Sequence, residues 1–73
     1  MASEIMPITL ERQIIAVNRE IRMREHTYPR WVGKGKMKQE EADEELNVMR
    51  AVLNTLQVLQ KAKRYEDLAQ VMR

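Results

Sequence analysis

Residues 26–36 read "HTYPRWVGKGK", and how that stretch is parsed decides how many helices the chain has and where it turns. Pro29 removes a backbone donor, and its ring disfavours helical geometry at Tyr28, so a helix arriving from the N-terminal side is expected to end near Thr27. Gly33 and Gly35, the only two glycines in the chain, permit the positive backbone angles of a tight reversal. A loop over about 28–37 is therefore predicted, with a helix on either side.

On the N-terminal side, Pro7 or Thr9 marks a helix start, and Glu11 sits in the first turn where the helix dipole favours an acid. Leu10, Ile14, Val17 and Ile21 recur at helical spacing and form one stripe, whose rhythm continues to Arg24 and Tyr28. The first helix is thus expected over about 8–27. On the other side, Glu40, Glu41 and Asp43 suit the start of a second helix, and Ala42, Leu46, Met49, Leu53 and Leu56 form its apolar stripe. It is expected over about 38–62, with a tail helical to 73. Two facing stripes joined by a glycine turn predict an all-α fold: an antiparallel helical hairpin forming a single domain, residues 1–73.

The second helix outruns the first. With no Gly or Pro after residue 38 it can reach roughly 52 Å, against roughly 27 Å for a first helix of about 18 residues. Its apolar face also changes sides, because Ala62, Tyr65, Ala69 and Met72 fall roughly opposite Leu46, Met49 and Leu53. Either the chain bends near 60–64 and a short third helix folds back, or the second face meets another subunit. Val48, Val52 and Leu59 widen the first stripe towards a partner and favour a homo-oligomeric helical bundle.

The 73-residue chain has no cysteine, so neither disulfides nor a thiolate zinc site supplement a core this small, and association is the remaining device. No signal peptide and no run of about 20 apolar residues is evident, which points to the cytoplasm and no membrane partner. The net charge is only +2, but it is unevenly placed. Seven bases (Arg19, Arg22, Arg24, Arg30, Lys34, Lys36, Lys38) against two acids (Glu20, Glu25) are followed by five acids between Glu40 and Glu45.

Catalytic chemistry finds no support. His26 is the lone histidine, with no second nitrogen or sulfur ligand to share a metal. Ser3, Thr9, Thr27 and Thr55 lack a nucleophile-elbow context or a nearby base. Gly33-Lys34-Gly35-Lys36 lacks the glycine spacing and the hydroxyl residue of a phosphate loop. The acidic run is best read as a solvated face. The expectation is a protein that is not an enzyme and needs no cofactor.

What remains is binding. Arg22, Arg24, His26, Tyr28, Arg30, Trp31, Lys34 and Lys36 gather cations and two of the three aromatics around the turn. Arginine forks recognise phosphate or carboxylate, and flat rings stack on bases, so the group suits an anionic, nucleotide-like ligand or a protein partner. The competing reading is structural: the aromatics close the core at the hinge, and Arg24 pairs with an acid of the second helix such as Asp43 or Glu45.

Over "EIRMREHTYPRWVGKGKMKQEEADEELNVMRAVL" (residues 20–53) the chain resembles a group of small accessory proteins of bacteriophage and prophage gene clusters. Arg22, the segment Tyr28-Pro29-Arg30-Trp31-Val32, Gly35, Met37, Gln39, Ala42 and Glu45 carry the resemblance. It implies a context rather than a chemistry: a small protein in the bacterial host cell that modulates a host component, such as an enzyme or a defence system, by binding. The alternatives are a nucleic-acid-binding accessory protein, favoured by a pI near 9.2 but opposed by acids at the start of the second helix, and a purely structural oligomeric protein.

Overall fold

A computed structural model describes residues 7–71. They form two helices, α1 over Leu10–Gly33 and α2 over Gln39–Val71, packed antiparallel. The all-α hairpin is as expected. Thr9 is the N-cap of α1, its hydroxyl accepting from the Arg12 amide at 3.1 Å, with Glu11 in the first turn. A cap of this kind satisfies one of the four amides that a helix start leaves without a partner.

The end of α1 differs from expectation. Pro29 lies inside the helix, which runs on to Gly33 instead of stopping near Thr27. Proline there forfeits the hydrogen bond to the Glu25 carbonyl and crowds it. Two things hold the last turns. Tyr28 is buried and packs its ring against Trp31, three residues on, with centroids 5.9 Å apart; that pairing exists only if the chain stays helical past the proline. Beyond Gly33 the helix closes in a Schellman arrangement: the Lys36 amide donates to Trp31 O at 2.8 Å, and the Gly35 amide to Val32 O at 3.0 Å. The connection therefore shrinks from the predicted 28–37 to 34–38.

Only one of the two glycines needs its freedom. Gly35 has φ +73°, whereas Gly33 is helical, and nothing lies within 4 Å of a β-carbon added at either. Gly35→Ala should therefore destabilise by about 1–2 kcal/mol through the backbone alone, and Gly33→Ala should stabilise by about 0.5–1 kcal/mol. Thermal denaturation followed by circular dichroism reads both; equal effects would contradict this turn geometry.

Helix α2 begins with Glu40 and Glu41 in its first turn and a Gln39–Asp43 side-chain hydrogen bond of 2.9 Å. It continues unbroken through 60–64, so no third helix folds back among the described residues. Met72 and Arg73, the last two residues of the expected helical tail, lie outside the described residues, as does Ser3. At 1.5 Å per residue the helices span roughly 36 and 50 Å. Leu10 lines a shallow hollow with Gln60 and Arg64, which sets the start of α1 level with that part of α2.

Both predicted stripes face inward. Ile21, Tyr28 and Ala42 are buried, while Leu10, Ile14, Val17, Leu46, Met49, Leu53 and Leu56 are half-buried. Two inter-helix ion pairs flank this seam, Arg24–Glu45 at 3.5 Å and Arg50–Glu25 at 2.8 Å. Exposed pairs of this kind contribute about 0–1 kcal/mol each, so they set register more than they stabilise. No helix among the described residues is long and apolar enough to cross a membrane.

The result is a plate of 58 × 35 × 14 Å with a radius of gyration of 17.3 Å. A compact chain of this length has roughly 11 Å. Large apolar side chains consequently stay in solvent: Val48, Val52 and Leu59 on one flank of α2, and Val58, Tyr65 and Leu68 towards its far end.

Candidate functional site

Because α1 continues through Pro29, the residues of "HTYPRWVGKGK" are distributed by helical phase, about 100° per residue, and not by nearness in sequence. The inward direction is taken by Tyr28, one helical turn beyond Arg24 on the core side. The Arg24 guanidinium carbon lies 5.9 Å from the centroid of the Tyr28 ring. Its Nε donates to Glu20 Oε1 at 2.9 Å, and its Nη1 lies 3.5 Å from Glu45 Oε1. The hydrogen bond that Arg24 donates to Glu20 raises its pKa above the ordinary value, with partial burial acting in the opposite sense. Glu45 is one of the two α2 acids that the structural reading of the sequence named for Arg24. Its fork is thereby turned to the two acids and the ring within the hairpin.

Trp31 lies on the flank of α1, between its inward and outer faces. It is 45% exposed, whereas the Tyr28 ring that supports it is 9% exposed, and the two rings meet at 35°. A ring braced in this way offers a flat apolar face with little remaining freedom to lose on binding. Beside it runs a shallow open groove formed by Glu20, Met23, Arg24, Thr27, Tyr28 and Trp31. Met23 is exposed there as well.

The remaining cations go elsewhere. Arg22, His26 and Arg30 are exposed and share the outer face of α1, which points away from α2, while Lys34 and Lys36 are exposed in the connection. Two further residues join the outer face that reading the turn alone did not single out: Arg12 and Arg19 recur on it at helical spacing. Arg12, Arg19, Arg22, His26 and Arg30 fall within an arc of about 80°, and the sequence places no acid in that arc between them. None of the five lies within 4.0 Å of a carboxylate among the described residues. The periodicity was present in the sequence, but reading it requires that Arg30 belong to the helix. The eight expected site residues thus divide into an inward pair (Arg24, Tyr28), a flank (Trp31), an outer ridge (Arg22, His26, Arg30) and the turn (Lys34, Lys36).

No three His, Cys, Asp or Glu side chains converge in a way that would hold a metal among the described residues. Comparison with protein-family models, with curated proteins and with solved structures returns no match to this chain.

Proposed function

We propose that this chain is a non-enzymatic binding module that docks a protein partner on the Trp31 end of the hairpin. The observation that carries the reading is the exposed indole held on a buried tyrosine, beside Met23 and the groove. Tryptophan and arginine in such settings dominate interface energetics. A nucleotide-like ligand is less well served. Arg24 is occupied by Glu20 and Glu45, and Arg22, His26 and Arg30 point away from the indole, so no fork of cations frames the ring. The resemblance of residues 20–53 to phage accessory proteins supplies the context: a host component in the bacterial cell, with a defence protein among the candidates.

The outer ridge supports a second reading, nucleic-acid binding. Four arginines over about 27 Å of helix can follow a phosphate backbone, and that mode of binding weakens steeply with salt.

One set of proteins separates the two. Wild type, Trp31→Ala and the triple variant Arg19→Ala/Arg22→Ala/Arg30→Ala are compared for capture of a protein from bacterial lysate and for retention on random-sequence duplex DNA. The leading reading expects a captured protein that Trp31→Ala loses at least tenfold and the triple variant keeps, with the melting temperature of Trp31→Ala lowered by only a few degrees. DNA retention that falls with salt, is abolished in the triple variant and is indifferent to Trp31→Ala would establish the ridge reading instead. A rise in melting temperature with a nucleotide, lost in Trp31→Ala, would restore the anionic ligand.

A further inference from the structure

We propose that a second copy of this chain docks antiparallel along one flank of α2, forming a four-helix bundle about a two-fold axis at Val52. The proposal goes beyond the binding reading above and does not depend on it.

The first support is area. The chain exposes 6294 Å², whereas a compact monomer of 8.7 kDa exposes about 4,700 Å². The excess includes the open flank of α2, and a specific protein interface takes roughly 800 Å² from each partner. Val48, Val52 and Leu59 lie exposed on the flank of the inward stripe, beside half-buried Leu56. Together they form a continuous seam that α1 does not cover.

The second support is charge, and it fixes the direction. Lys38, Glu41, Val48, Val52, Leu59, Lys63 and Glu66 fall within an arc of about 80° on α2 and its N-terminal boundary, and all are exposed. Read from one end, the seam runs base, acid, apolar centre, base, acid, with Glu45 as one further acid between Glu41 and the apolar centre. An antiparallel copy with its axis at Val52 sets Glu41 opposite Lys63, Lys38 opposite Glu66 and Val48 opposite Leu56. Every charged pair is then attractive, over a seam of roughly 42 Å. A parallel copy sets each of these charges against its own like, which disfavours that arrangement. Glu45, which would otherwise meet Leu59, has its carboxylate drawn towards Arg24 at 3.5 Å.

Sedimentation equilibrium of the full chain tests this. The wild type is expected at twice 8.7 kDa at about 100 μM, and a monomer there would overturn the proposal. Val52→Glu sets two carboxylates against each other at the axis and should weaken association at least a hundredfold; an unchanged dimer would overturn the seam. Glu41→Lys and Lys63→Glu are exposed changes that leave the hairpin intact. Each alone should weaken association about fivefold, and the double swap should restore it. Single variants without effect, or a double variant no better than either, would overturn the antiparallel direction.

Discussion

Tyr28→Ala is expected to lower the melting temperature by about 12 °C or more, whereas Tyr28→Phe should leave it within a few degrees of wild type. Truncating a buried aromatic removes about 3–5 kcal/mol, and a domain of this size has only about 4–11 kcal/mol in total. Tyr28 is one of three buried residues among those described, and the largest of them. Its loss also removes the support under Trp31 and the ring beside the Arg24 guanidinium. The hydroxyl contributes little. It is not a buried polar atom lacking a partner, so its removal leaves nothing unsatisfied. Far-ultraviolet circular dichroism with temperature checks both variants. A cooperative transition in Tyr28→Ala within a few degrees of wild type would mean that the seam does not rest on this ring.

The neighbouring residue should respond in the opposite direction. Pro29→Ala restores an amide that can donate to the Glu25 carbonyl and relieves the clash of the proline ring with it, changes worth about 3 kcal/mol inside a helix. Alanine gives back up to about 1 kcal/mol through the freer unfolded chain, leaving a net gain of about 2 kcal/mol. For a domain of this size that raises the melting temperature by about 10 °C. If α1 ended near Thr27, Pro29 would lie in a turn that suits it, and the same change would be neutral or harmful. A thermal melt of one variant therefore distinguishes a proline within the helix from a proline that stops it.

The opposed effects at positions 28 and 29 show where reading the sequence succeeds and where it fails. The two stripes, the Thr9 cap and the antiparallel order follow from periodicity and turn residues, which act over a few positions. The rule that proline ends a helix is equally local, and here tertiary packing overrides it: Tyr28 has a place between the helices only if the last turns form. Two signals pointed past the proline. The stripe Ile21–Arg24–Tyr28 stays in phase up to it, and Gly35 is better placed than Pro29 to end a helix.

The candidate site was less legible than the fold for the same reason. A cluster in sequence becomes a cluster in space only in a loop. Once residues 28–33 are helical, Arg30 and Trp31 are separated by about 100°, and the arginines align with Arg12 and Arg19 instead. The pairing of Arg24 with Glu45 was within reach of sequence reasoning, because an antiparallel hairpin with a short turn brings the end of one stripe beside the start of the other.

The five-residue connection, closed by Gly35, also has a kinetic consequence. Closing so short a loop takes tens of nanoseconds, helix formation about a microsecond, and every tertiary pairing lies within one hairpin. Folding of a single chain is then among the fastest steps of its life. Bimolecular encounter, at ordinary rates of about 10⁵–10⁷ M⁻¹s⁻¹, is far slower at cellular concentrations. Newly made copies should pass through a long-lived solitary hairpin whose α2 flank is still open. The amount synthesised, rather than the time needed to fold, would then govern when two copies meet.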